Sequence, residues 1–93
     1  MKYTHYLQAT DVDKDLCLTI AMEECAELIQ AISKAKRGKL DRENLIEEIA
    51  DVRLCITWIE KIFNIKFDDR EVLNQLDYKR NRVVERLNKG EFK

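Results

Sequence analysis

Apolar residues recur every three or four positions along most of this chain, which is the spacing of one face of an α-helix. The pattern holds over three segments separated by short polar connections, and these are residues 14–37, 42–63 and 70–89. The chain contains no internal repeat and no low-complexity segment. We therefore predict an all-α fold in a single domain that spans residues 1–93.

Residues suited to capping lie at the ends of these three helices. An aspartate, whose carboxylate can accept hydrogen bonds from the free N–H groups of a first turn, stands before each segment: Asp13, Asp41, and Asp68 or Asp69. Gly38 and Gly90 follow the first and third helices, where helices commonly end. We expect a helical core over residues 13–90 with a short connection at 64–67, and an N-terminal arm over residues 1–12, either loose or forming a short extra turn.

The apolar face of the second helix contains carboxylates. With about 100° of rotation per residue, Glu48 falls inside the apolar arc, among Val52 and Ile59. Asp51 lies at the edge of that arc, beside Cys55. A buried carboxylate is costly unless a cation or hydrogen-bond donors compensate its charge. Something must therefore compensate Glu48.

A matching pair lies on the first helix. Glu24 and Glu27 occupy a stripe with apolar residues above and below it, and Glu23 leans further toward solvent. Because the connection between the two helices is short, they should fold back as an antiparallel hairpin. In such a hairpin, residues at the same height have numbers with a constant sum, which puts Glu24 level with Asp51 and Glu27 level with Glu48.

Four carboxylates that face one another across a hairpin are the oxygen ligands of a hard cation, for which Mg²⁺ or Mn²⁺ is the natural occupant. The alternative is an ordinary solvated edge in a chain with 38% charged residues. A di-iron carboxylate bundle usually needs Glu-x-x-His, and the only histidine is His5. A zinc site is disfavoured because CxxC and paired histidines are both missing.

Composition narrows the class of protein. With 45% apolar residues and no proline, the chain suits a globular fold with long helices, and its net charge of −1 argues against stable nucleic-acid binding. No apolar run approaches the roughly 20 residues of a membrane span, and the N-terminus lacks the apolar core of a signal peptide. Cys17, Cys25 and Cys55 are interpreted as reduced thiols in a cytoplasmic protein.

The first helix has an apolar arc too wide for one neighbouring helix. A three-helix chain of this length also supplies little core of its own. We therefore expect two hairpins to pair into a four-helix bundle, in a homodimer or a homotetramer.

The segment "EECAE" at residues 23–27, followed after twenty residues by "EIAD" at 48–51, resembles the EExxE…ExxD signature of MazG-like all-α nucleoside triphosphate pyrophosphohydrolases. The likeness is to the short single-domain phage and bacterial members, and it covers about residues 14–90. It implies hydrolysis of (d)NTPs to (d)NMP and pyrophosphate, for nucleotide-pool house-cleaning. Two alternatives remain, a phosphoribosyl-ATP pyrophosphohydrolase-like enzyme and a non-catalytic helical dimerisation module.

The resemblance also implies roles for individual residues. The expected Mg²⁺ ligands are Glu24, Glu27, Glu48 and Asp51. Glu23 and Glu27 are the expected catalytic residues, with Glu23 supporting the site or its attacking water. A KxxR-like pattern on the third helix implies that Lys79 and Arg82 contact the phosphates. Apart from the resemblance, phosphate oxygens away from the metal need cations, and Lys34 and Arg37 at the hairpin tip are expected to supply them. The resemblance further implies that a second copy of the chain completes the pocket.

Overall fold

The computed structural model describes residues 4–66 and 69–92, and the regular elements within these ranges are all helical. In chain order they are a 3-10 turn over His5–Gln8 and the helices α1 (Ala9–Val12), α2 (Lys14–Lys36), α3 (Arg42–Ile62) and α4 (Arg70–Asn88). The three long helices predicted from the periodicity are α2, α3 and α4, and the all-α prediction is confirmed. None of these helices is long and apolar enough to cross a membrane.

Each long helix begins at an aspartate whose side chain accepts a backbone N–H of the first turn. Asp13, Asp41 and Asp69 cap α2, α3 and α4, at oxygen-to-nitrogen distances of 3.0, 3.1 and 2.9 Å. The other candidate for the third cap, Asp68, lies outside the described ranges, as does residue 67 at the end of the expected connection. Gly38 has a φ of +77°, a left-handed conformation that glycine adopts without cost and that ends α2 as expected.

Helices α2 and α3 pack against each other as the predicted hairpin. The buried apolar side chains of the described chain are all small, and they are Cys17, Ala21, Ala31 and Cys55. The separation of two packed helices depends on the size of the side chains at their contact. Small residues at such a contact allow two helices to approach closely.

The N-terminal residues form a short turn that is fastened to α3. Nε1 of Trp58 donates to the backbone carbonyl of Tyr6 at 2.9 Å. Nζ of Lys61 donates to the carbonyl of Leu7 and to a carboxylate oxygen of Asp11, both at 3.0 Å. Of the two forms expected for the arm, the structure therefore has the short extra turn, while residues 1–3 lie outside the described ranges.

Helix α4 packs against no other helix among residues 4–66 and 69–92. Apolar side chains of α4 are accordingly exposed, and these include Leu73, Leu76, Val83, Val84 and Leu87. Met22 and Ile29, in the wide apolar arc of α2, are 73% and 67% exposed because α3 covers only one side of that helix. The Cα radius of gyration is 16.5 Å, against about 12 Å for a compact chain of this length. A single copy therefore leaves apolar surface uncovered on both helices.

Candidate metal centre

The carboxylates of the signature meet on the facing sides of α2 and α3. One oxygen from each of Glu24, Glu27 and Glu48 lies within 4.8 Å of the others. Across the hairpin, Glu24 contacts the carboxyl of Asp51 and Glu27 contacts that of Glu48. These are the two pairs that the constant sum of residue numbers puts at equal height. Three of the four residues that the sequence suggested as ligands therefore converge, and Asp51 lies beside Glu24 without joining that group of three.

Two oxygen atoms of this carboxylate cluster are buried without a hydrogen-bond partner, Oε2 of Glu24 and Oε2 of Glu48. Glu48 as a whole is only 7% exposed. The salt bridges of the described chain lie elsewhere, and they join Lys61 to Asp11, Arg80 to Asp77 and Arg86 to Glu91. A buried carboxylate without a donor or a cation is unfavourable. The cluster therefore favours uptake of either a proton or a cation.

The surroundings of the cluster favour the protonated form of two carboxyls. The pKa of Glu24 is raised from 4.5 to about 7, first by burial, then by the hydrogen bond with Asp51 and by the neighbouring negative charges. Burial also raises the pKa of Glu48, followed by the charge of Glu27 and the hydrogen bond with it. Desolvation and like charges both disfavour the ionised form. Without a cation, the cluster therefore holds protons at a pH where isolated carboxyls have lost them.

We expect the metal-free protein to lose stability as the pH rises from about 4.5 to about 7. The folded state binds the proton of Glu24 more tightly than the unfolded chain, in which the carboxyl has a pKa near 4.5. Glu24 therefore stabilises the fold at low pH. This contribution is lost as the pH rises past about 7. Thermal unfolding in a chelator across this range measures the effect. Other groups also titrate here, so the readout is the comparison with Glu24→Gln, whose amide does not titrate. Equal pH slopes in the two proteins would contradict the expectation.

The donor set fits a hard divalent cation. Four carboxylates offer only oxygen, which is the ligand that Mg²⁺ and Mn²⁺ prefer, and a cation would satisfy both oxygens that have no protein partner. Cys55 lies one turn beyond Asp51, and burial followed by the charge of Glu24 raises the pKa of its thiol, which favours the neutral form in the metal-free protein. No second group of three such ligands converges within residues 4–66 and 69–92.

The hairpin residues expected to take part in catalysis or phosphate binding lie at different distances from this cluster along α2. Lys34 lines a polar cavity of about 240 Å³ that Glu27 and Glu48 also line. Arg37 is exposed in the turn that ends α2 and does not line that cavity. Glu23 is exposed and is not among the three residues whose oxygens converge. Of these candidates, only Lys34 and Glu27 border the cavity.

The two basic candidates on α4 are not brought to the cluster within one chain. Lys79 and Arg82 each lie 5.9 Å from the ring centre of Tyr78, and both line a small cavity on α4 itself. Helix α4 packs on neither α2 nor α3 in the described chain, so the fold of one chain does not direct these two residues toward the carboxylates.

Two amide side chains that the sequence did not single out also border the cavity that Glu27 and Glu48 line, Gln30 and Asn44. Ala31, which is 5% exposed, lines it as well. The same constant sum that pairs the carboxylates puts Asn44 level with Ala31, and Gln30 follows Glu27 by three residues. The register of the hairpin was therefore sufficient to predict that Asn44 lies near the carboxylates. Amides are less conspicuous in a sequence than charged residues, which are the usual candidates for ligands.

Comparison with known proteins identifies a family for this chain. The family model of the MazG nucleotide pyrophosphohydrolase domain matches residues 13–86, a range that contains α2, α3, most of α4 and the whole carboxylate cluster. No curated protein and no solved structure is similar enough to count as a match. Since the family model covers nearly the whole chain, this protein belongs to the MazG nucleotide pyrophosphohydrolase domain family.

Proposed function

We propose that this protein hydrolyses (d)NTPs to (d)NMP and pyrophosphate, with Mg²⁺ as its cofactor and Mn²⁺ able to replace it. Membership of the family supports nucleotide pyrophosphohydrolase activity. The observation that carries the proposal is the pair of buried oxygens, on Glu24 and Glu48, that have no protein partner in a cluster made only of carboxylates. The activity would serve house-cleaning of the nucleotide pool in the cytoplasm.

In this proposal Glu24, Glu27, Glu48 and Asp51 hold the cation. A bound divalent cation would neutralise the repulsion between the carboxylates and a triphosphate and would activate the attacking water. The protein contributes pre-organisation, since two packed helices fix the four side chains relative to one another before the substrate arrives. Glu27 is exposed at the edge of the cluster, with Glu23 exposed one turn earlier, and these two are the proposed catalytic residues that orient the water.

We further propose a homodimer or homotetramer in which two α2–α3 hairpins pair into a four-helix bundle. An apolar groove along α2 is open to solvent in the single chain, and its lining includes Leu18, Met22, Ile29 and Phe63. The four small buried residues are little core for a chain of this length. A second copy would cover the groove and the apolar face of α4. It would also allow Lys79 and Arg82 to reach the phosphates from the other chain.

A panel of (d)NTPs and phosphoribosyl-ATP, incubated with and without Mg²⁺, tests the proposed function by product analysis. We expect a nucleoside monophosphate and pyrophosphate from at least one (d)NTP, and only with the cation. Nucleoside diphosphate and inorganic phosphate as products would contradict cleavage between the α and β phosphorus atoms. Turnover of phosphoribosyl-ATP alone would show that the protein is a phosphoribosyl-ATP pyrophosphohydrolase-like enzyme. No turnover of any substrate would favour the non-catalytic helical dimerisation module.

A further inference from the structure

The polar cavity beside the carboxylate cluster extends toward the hairpin turn. Glu27 and Glu48 lie at one end of it, and Lys34 lies two turns further along α2, about 10 Å from Glu27 at 1.5 Å of rise per residue. Gln30 lies between Glu27 and Lys34 on α2, and Asn44 lies one turn before Glu48 on α3. The lining therefore changes from carboxylates to amides and then to an ammonium group.

The donors of this cavity are not used by the protein itself. The side chains of Gln30, Lys34 and Asn44 make no hydrogen bond or ion pair with any residue in the described ranges. The bond between Asn44 and the cap Asp41 uses the backbone N–H of Asn44. Oε2 of Glu48, which is buried, also has no donor although these groups lie nearby. The amides and the ammonium group thus remain available to a ligand.

We propose, building on the function proposed above, that Gln30, Lys34 and Asn44 form the subsite for the pyrophosphate end of the nucleotide. A triphosphate beside the carboxylates has two further phosphates to accommodate, and these need N–H donors and positive charge. Within the hairpin, N–H donors and positive charge are both found in the direction of the Gly38 turn. The triphosphate therefore lies along the α2–α3 groove, with its outer phosphates toward the turn and the nucleoside at the opposite end.

Binding of inorganic pyrophosphate with Mg²⁺ to the full chain, measured by titration calorimetry, tests the subsite apart from catalysis. Lys34→Met and Asn44→Ala should each weaken binding by about 10- to 100-fold, the effect expected for one hydrogen bond to a charged group. Lys36→Met is the matched control, because Lys36 is exposed on the same helix and does not line the cavity. Its affinity should stay within about twofold of wild type.

Asn44→Asp separates binding from a structural role. The aspartate keeps the shape of the side chain and adds a negative charge in the first turn of α3, where the helix dipole favours it and Glu48 one turn later disfavours it, so the unfolding temperature should change little. Pyrophosphate binding should nevertheless fall further than in Asn44→Ala, because the new carboxylate repels the anion. A large loss of affinity with little change in stability is not expected if Asn44 only supports the fold.

Unchanged pyrophosphate affinity in Lys34→Met and Asn44→Asp, in a protein that hydrolyses nucleotides, would overturn the subsite and leave the proposed function intact. A wild-type protein that binds pyrophosphate through these residues but turns over no nucleotide would support the subsite and refute the proposed function. The two ideas can therefore fail separately.

Discussion

Replacing Glu48 by glutamine should lower kcat/KM for the preferred nucleotide by about 1000-fold or more. The substitution keeps the size of the side chain but removes a negative charge from the most buried position of the cluster. Oε2 of Glu48, which has no hydrogen-bond partner in the described chain, becomes either the amide N–H₂ group or the neutral carbonyl oxygen of the glutamine. Loss of a cation that stabilises the transition state by several kcal/mol corresponds to about three powers of ten in rate. Steady-state kinetics at saturating Mg²⁺ measure the effect.

Glu47→Gln is the matched control for that experiment. Glu47 precedes Glu48 on α3, carries the same group and is exposed, so its replacement should leave kcat/KM within about threefold of wild type. In a chelator, Glu48→Gln should unfold at the same temperature as wild type or higher, because it removes a carboxyl whose ionised form is disfavoured by burial and by Glu27. Surviving activity would refute the ligand assignment, and a clear loss of metal-free stability would refute the repulsion within the cluster.

Replacing Ile29 by lysine should raise the dissociation constant of the proposed dimer by about 100- to 10,000-fold. Ile29 is 67% exposed in the single chain and lines the apolar groove of α2. A symmetric interface contains the changed residue twice, and each buried isoleucine contributes about 1.5–3 kcal/mol, before any cost of burying the ammonium group. Size-exclusion chromatography with light scattering over a range of concentrations measures the shift. Wild type should elute as a dimer or tetramer at micromolar concentration.

Thr19→Lys is the control for charge added elsewhere on the same helix. Thr19 is exposed and does not line the groove. Its hydroxyl donates to the backbone carbonyl of Asp15, one turn earlier on the same helix. Its replacement should leave the oligomeric state unchanged. A wild-type protein that is a stable monomer at micromolar concentration would refute the proposed assembly. Dissociation in Thr19→Lys as well would show that the effect of Ile29→Lys is not specific to the groove.

The local features of the hairpin were predictable because they depend on neighbours in the sequence. Asp13 and Asp41 cap the helices that they precede, and Gly38 has the left-handed conformation that ends α2. The burial of Glu48 followed from its place in the apolar arc. The height of each carboxylate followed from the short turn, because a tight antiparallel connection fixes which residues of two helices face each other.

Features that depend on distant backbone groups were not predictable in the same way. The side chain of Trp58 donates to the backbone carbonyl of Tyr6, and that of Lys61 donates to the carbonyl of Leu7. Because every residue has a backbone carbonyl, no sequence pattern identifies these two acceptors. The exposure of Met22 depends on whether the second side of α2 is covered, and no residue in the described ranges of the single chain covers Met22 fully. The position of Lys79 relative to the carboxylates was not predictable for a related reason, since α4 packs on no helix of its own chain in the described ranges.

The small buried side chains of α2 would set the width of the proposed cation site. Ala21 and Ala31 flank the carboxylates of α2 in sequence, one on each side, and both are almost fully buried. A bulkier residue at either position would push the helices apart and lengthen every distance across the cluster. Mg²⁺ requires oxygens at about 2.0–2.1 Å and Ca²⁺ accepts about 2.3–2.6 Å. Selection of an ion by its radius would therefore depend on two methyl groups that never touch it.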